Sequence, residues 1–313
     1  MRLKMKDDKT SSDAPILRKG DFLINFSRAV GQFENAMQEF PIKKLLYQSV
    51  FQGRGLEFES YREFMPDDDA SLLDWRASLR ANQLLARKYI QERNLNIYFL
   101  VDVSNSMLFG SNERLKAEYT AEVVAALSHL VLNSGDRVGI ILFNEGIVKI
   151  LRPNNSKTQF SLFMKFLSDP SLYGGGFDLK GAVEYAIENI SSEYTAFILV
   201  SDFIRVNKNV ERSLKLMGSK FETMALLVRD PMDDALPDTG YQMSVQDPYS
   251  GRQMVIDSSI AGDKFRQSAE KQKGVLKDLF KQSKIDVLEL STSEHFAVPV
   301  ATFLKNRSSG RRT

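Results

Sequence analysis

Five stretches of the chain read as strands: 95–101 and 196–200, apolar almost without interruption, and 137–143, 221–228 and 285–290, which carry a few polar residues. Runs of this kind, lacking a polar alternation, mark strands covered on both faces of a parallel sheet. Between and behind them, apolar positions recur at helical spacing over 113–132, 156–167, 179–190, 206–217 and 263–282. A further run, 147–151, follows 137–143 closely enough to return against it as a hairpin. Strand and helix therefore alternate, and the expected fold is α/β: a Rossmann-like doubly wound, mainly parallel sheet with right-handed crossovers. In the strand order 3-2-1-4-5-6 the first and fourth strands are neighbours, at the switch point where such sheets bind ligands. With 147–151 counted as the third strand, the first ends in Asp102 and the fourth in Ser201-Asp202.

The regular rhythm occupies 94–306, with an insertion at 230–257. Residues 1–19 are polar and expected to be disordered, 20–93 form an N-terminal helical and irregular arm, and 307–313 a basic tail. Within the arm, Phe22, Phe26, Val30, Phe33, Met37 and Phe40 predict an amphipathic helix that Pro41 interrupts. The stretches 53–69 and 71–80 interleave arginine, aspartate and aromatic residues. Aromatics packed on the main domain and internal Arg–Asp pairs account for that pattern, with a ligand site as the alternative. Residues 86–89 read as one more strand. In the insertion, Pro231, Pro237, Gly240, Pro248 and Gly251 punctuate two short runs, 241–245 and 253–256, and Tyr249-Ser250-Gly251 between them reads as a hairpin turn. The end of the chain, 305–313, is expected to be frayed and solvated.

Composition changes this picture by exclusion. The chain has no cysteine, which removes disulfides, thiolate zinc sites and cysteine nucleophiles and fits a reducing cytoplasm. Its two histidines rule out a histidine-rich metal site and leave only His129 and His295 for a Ser-His-Asp triad. A net charge of +2 gives no electrostatic case for nucleic acid. No apolar stretch reaches the ~20 residues of a membrane span, and the charged start does not read as a signal peptide.

The chemistry then concentrates in one loop. The first strand runs into Asp102-Val103-Ser104-Asn105-Ser106, an Asp-x-Ser-x-Ser series of short oxygen-bearing side chains. Asp202 would face it from the fourth strand, and Gly174-Gly175-Gly176-Phe177-Asp178 forms a loop ahead of the helix at 179–190. Two carboxylates and two hydroxyls make a hard-oxygen set suited to magnesium, manganese or calcium. Helix N-capping is the competing role for Ser104, Ser106 and Asp178.

Asp102-x-Ser104-x-Ser106 resembles the metal-ion-dependent adhesion site of von Willebrand factor A domains. That resemblance implies an ion, magnesium first, held by Asp102, Ser104 and Ser106. Asp202 would contact the ion through water, and a threonine would come from the glycine loop. Here the loop departs from the pattern: Phe177 stands where the threonine would be, leaving Asp178, one position along, as the substitute ligand. The segments GRGLEFESYREFMPDDD and LLDWRASLR, containing Gly53, Arg54, Gly55, Glu57, Arg62, Asp74, Trp75, Arg76 and Arg80, narrow the likeness. Together with Asp230-Pro231 and Asp247-Pro248-Tyr249-Ser250-Gly251 they resemble a prokaryotic von Willebrand A-like family known as domain of unknown function 58, over 53–307. The resemblance implies a non-enzymatic adaptor or co-chaperone, working with a MoxR-type AAA+ ATPase that supplies a carboxylate to the metal. A cytoplasmic protein without membrane insertion or nucleic-acid binding is the expectation from the missing apolar span, the near-neutral charge and the absence of cysteine, and no catalytic residues are expected. The alternative is a phosphohydrolase or nucleotide-binding enzyme on the same sheet, for which no Gly-x-x-x-x-Gly-Lys loop is present and Ser104 holds the place, two after Asp102, where an aspartyl nucleophile would have its second aspartate.

Overall fold

The computed structural model describes residues 22–37, 60–65, 75–88, 94–112, 114–237 and 242–308. The strands of the α/β domain are β3 (Asn96–Asp102), β4 (Arg137–Phe143), β5 (Ile147–Asn154), β6 (Thr195–Ser201), β7 (Glu222–Arg229) and β10 (Asp286–Ser291). They form one six-stranded sheet in the order β10-β7-β6-β3-β4-β5. All neighbours are parallel except β5, which returns antiparallel along β4. The doubly wound order read from the sequence is thus the one observed, with β3 and β6 side by side at the switch point.

Alternation of side chains along each strand supplies both faces of the core. Ile97, Phe99 and Val101 of β3 enter one hydrophobic cluster, while Tyr98 and Leu100 enter the other. The helices sort accordingly. On the first face lie α3 (Lys116–Asn133), α4 (Lys157–Leu167) and α9 (Ala297–Ser308); on the second lie α5 (Leu179–Asn189), α6 (Glu211–Lys220) and α8 (Ser258–Gln282). The helix α8 starts at Ser258, ahead of the periodic stretch that predicted it, because Asp257 caps its first turn.

Buried residues lie all around α3, so something must cover the side turned away from the sheet. The arm supplies it. Its helix α1 (Phe26–Met37) lays Ala29, Phe33 and Met37 into the first cluster, and Phe33 meets Phe296 at the start of α9. The backbone N–H groups of Leu23 and Asn25 donate to Glu118 and Glu122 of α3 at 2.7 and 3.2 Å, satisfying donors that the start of a helix leaves over. The rest of the described arm is a small antiparallel pair, β1 (Ser60–Glu63) with β2 (Leu85–Lys88), and the helix α2 (Trp75–Ala81). Arg62 stands opposite Ala86 in that pair, and Arg76 and Arg80 ride on α2. Trp75, expected to pack on the main domain, is 66% exposed. Gly53, Arg54, Gly55, Glu57 and Asp74 lie outside the described residues.

The insertion contributes one helical turn, α7 (Pro231–Asp234), and a hairpin of β8 (Gln242–Gln246) and β9 (Gln253–Asp257) whose strands, among the described residues, pair only with each other. The end of the chain corrects the sequence reading. Residue 307 was placed in a frayed basic tail, yet Arg307 is 4% exposed within α9, at 2.6 Å from Asp286 and 3.4 Å from Glu222. Two carboxylates at the amino ends of β10 and β7 create a demand for a cation that local sequence does not reveal. Arg307→Ala is expected to remove the guanidinium they share and to lower the unfolding free energy by about 3 kcal/mol, read from the midpoint of urea denaturation at unchanged m-value.

Candidate metal centre

The crevice is built where β3 and β6 end together. Asp102, Ser104, Ser106 and Asp202 are each at most 4% exposed and converge there. Each oxygen of the Asp102 carboxylate is held: Oδ1 accepts from the Ser104 N–H at 2.8 Å and Oδ2 from the Ser201 hydroxyl at 2.6 Å. Asp202 accepts from the Ile204 N–H at 3.1 Å through Oδ1, and the Ser106 hydroxyl lies against the same carboxylate. The hydroxyl oxygens of Ser104 and Ser106 stand 3.3 Å apart.

The capping alternative fails for Ser104. It occupies the position before a short 3-10 turn, 105–108, but its hydroxyl makes no capping bond and turns to Ser106 and Tyr249 instead. Asp178 behaves differently. Its carboxylate caps α5 by accepting from the Gly181 N–H at 3.0 Å, and the residue is exposed. The glycine loop itself abuts the crevice: Gly174 N–H donates to the Val103 carbonyl at 2.7 Å, and the Asn105 N–H donates to the Gly175 carbonyl at 3.2 Å. Positive φ angles of +128° at Gly174 and +79° at Gly175 allow this approach. Phe177 packs toward Phe143, with ring centroids 5.9 Å apart.

Four further side chains, Lys116, Asp233, Tyr249 and Arg205, gather at the site, and none was singled out from sequence as a site residue. Lys116, the first residue of α3 and 1% exposed, places Nζ 2.7 Å from Asp202 Oδ2 and 2.9 Å from Asp233 Oδ2. Asp233 comes from α7 in the insertion. Tyr249, at the tip of the hairpin, sets its hydroxyl 3.0 Å from Ser104 Oγ, and the Arg205 guanidinium lies 4.1 Å from its ring centroid. The available signals were faint. Lys116 opens a helix whose first two turns also carry Glu118 and Glu122, and Tyr249 stands in a turn whose destination the local pattern does not encode.

The electrostatics follow from burial and proximity. Desolvation, then the neighbouring Asp202 charge, lift the Asp102 carboxyl from the ordinary 3.8 to about 7. Desolvation would lift Asp202 as well, but the Lys116 ammonium outweighs it and holds that carboxyl below its usual range. Lys116 is in turn held above the ordinary lysine value, the pull of Asp202 and Asp233 exceeding the cost of burying its charge. With every carboxylate ionised, the three against one ammonium leave two negative charges to be balanced. Among the described residues no group of three His, Cys, Asp or Glu side chains could hold a metal. An ion here would therefore rely on hydroxyl oxygens, with Asp102, Ser104 and Ser106 the donors and Asp202 behind them. That set fits a hard divalent cation in chemistry and in charge.

The histidines do not reach this chemistry. His129, on the distal half of α3, pairs with Glu34 at 3.2 Å, and His295 lines a separate cleft of about 370 Å³ with Arg114, Thr292 and Glu294.

The fold and this cluster define a doubly wound α/β domain with an acidic-hydroxyl crevice at its switch point. The family model described as "Protein of unknown function DUF58" matches residues 60–275, and the chain belongs to that family. It is similar to the uncharacterized protein Rv1480 of Mycobacterium tuberculosis, 26% identical over 82% of this chain and 81% of that one. Among solved structures it is similar to the conserved hypothetical protein BatB from Bacteroides thetaiotaomicron. The TM-score there is 0.47 at 17% identity, over 69% of this chain and all of that one. It is also similar to the SpRpn10 VWA domain, with a TM-score of 0.37 at 11% identity over 66% and 94% of the two chains. No helix among the described residues is long and apolar enough to cross a membrane.

Lys116→Met tests the ionic arrangement. Removing the ammonium leaves Asp202 and Asp233 buried without their cation, an expected loss of about 3–5 kcal/mol in denaturant unfolding. Adding Asp233→Asn to Lys116→Met is expected to recover part of that loss, since one of the stranded charges goes with it.

Proposed function

We propose that this protein is a non-enzymatic interaction module that binds a partner protein through a divalent ion, magnesium before manganese or calcium, held at Asp102, Ser104, Ser106 and Asp202. The observation that carries the reading is the convergence of these four buried side chains at the ends of β3 and β6, with the Ser104 hydroxyl released from capping. Two of the donors are neutral hydroxyls, so the ion would keep residual positive charge and favour a carboxylate brought by another protein. Asp178, committed to the first turn of α5, contributes to the glycine loop rather than to the ion in this reading. The motif likeness supports a MoxR-type AAA+ ATPase as the source of that carboxylate, and an adaptor or co-chaperone role in the cytoplasm.

A phosphohydrolase or nucleotide-binding enzyme is the second reading. It requires a positioned nucleophile or general base. The buried carboxylate of the crevice that could serve, Asp102, is tied by Ser201 and the Ser104 N–H, and the other, Asp202, by Lys116.

Calorimetric titration of magnesium and manganese into the wild type and Asp102→Ala, with melting curves alongside, tests the proposal. Binding is expected in the wild type and lost in Asp102→Ala. At about a hundred times the dissociation constant the ion is expected to stabilise the native state by ~2.7 kcal/mol. A partner captured from the native host in magnesium but not in chelator is expected to require Asp102. Equal capture in both conditions would exclude the ion as the link.

A further inference from the structure

The hairpin β8–β9 is weakly held at its strands and firmly built at its tip. Among the described residues the strands pair only with each other, and a two-stranded pair is marginal by itself. Met254 and Val255 are 67% and 64% exposed, and Gln242, Ser244 and Gln246 are exposed as well. At the tip, by contrast, Asp247 Oδ1 accepts from the N–H groups of Tyr249 at 2.8 Å and Ser250 at 2.9 Å. The Gly251 N–H donates to the Asp247 carbonyl at 2.9 Å, and Gly251 closes the turn at φ +68°. The result is a rigid fingertip on a loosely anchored finger, and the tip is what touches the crevice.

We propose that the hairpin 242–257 is a built-in stopper, in which Tyr249 engages the Ser104–Ser106 hydroxyl pair and the hairpin must swing out before an ion and an incoming carboxylate can take that pair. The inference rests on the metal reading of the crevice given above. Ser104 has one proton and two lone pairs, and one of these is committed to the Tyr249 hydroxyl at 3.0 Å. The second attachment is the Arg205 guanidinium, 4.1 Å from the ring centroid and itself on the exposed side of the loop after β6. The hydrogen bonds of Tyr249 to the two serine hydroxyls and one exposed cation–π contact form a latch light enough for binding energy to open. Elements that move on binding are drawn from such low-stability segments.

The test is calorimetric titration of manganese chloride in acetate buffer into the full chain as wild type, Tyr249→Phe, Tyr249→Ala, Arg205→Gln and Asp102→Ala. Hydrogen exchange over 242–257 is followed with and without the ion. Tyr249→Ala is expected to bind manganese about tenfold more tightly than the wild type, with Arg205→Gln shifted in the same direction. The ion is expected to speed exchange along β8 and β9 of the wild type, a strand pair left marginal once its tip is released, and to leave the Tyr249 and Ser250 amides, bonded within the tip to Asp247, unchanged. Melting curves confirm that each variant is folded, and Arg205→Gln probes the latch without altering the crevice. Equal affinities in the wild type and both Tyr249 variants overturn the stopper and leave the metal reading standing. Weaker binding by Tyr249→Phe overturns it by making the tyrosine a ligand. No binding by any of the proteins overturns the metal reading and the stopper with it.

Discussion

Two carboxylates cannot sit side by side in a buried crevice without something to balance them. The doubly wound order nonetheless puts Asp102 and Asp202 at the ends of adjacent strands. Much of the surrounding structure answers that repulsion. Lys116 takes Asp202, hydrogen bonds from Ser201 and the Ser104 backbone take Asp102, and Asp233 completes the shell around the lysine. The placement of α3 is part of the same answer, because its first residue must arrive within reach of β6. Helix and crevice are therefore one unit, and a description of the site that stops at its oxygen atoms misses the cation that makes them tolerable.

Burial on every side is what made the sheet readable. Strands such as 95–101 and 196–200 are apolar because both faces of the sheet are covered, and a hairpin return at 147–151 was enough to set the strand order. The Asp-x-Ser-x-Ser loop was legible for a related reason, since the carboxyl end of a central strand is where such sheets expose chemistry. What was not legible depends on meetings between distant segments. A lysine at a helix start reads as solvated until Asp233, over a hundred residues later, arrives beside it. Arg307 reads as part of a loose tail until Asp286 and Glu222 are seen to be waiting for a cation. Asp178 carried two roles on paper, and the turn of α5 that it caps is the one the structure displays.

The insertion belongs with these long-range meetings. Its two strands were visible as short runs around a turn, but a turn motif says nothing of where its tip comes to rest. Tyr249 finishes against Ser104, 145 positions away in sequence. The same insertion delivers Asp233 to Lys116. A segment that looked like an interruption of the fold thus reaches the crevice at two points, one ionic and one hydrogen-bonded.

The seating of α1 on α3 has a mechanical side. Glu118 and Glu122, which hold the entry to α1, lie on the same helix as Lys116 and within its first two turns. An α-helix is stiff along its axis and transmits displacement with little loss over such a distance. The entry of the arm and the buried lysine are thus set by the same two turns of backbone. The arm rests on the stretch of helix that places the crevice's cation, besides covering the core.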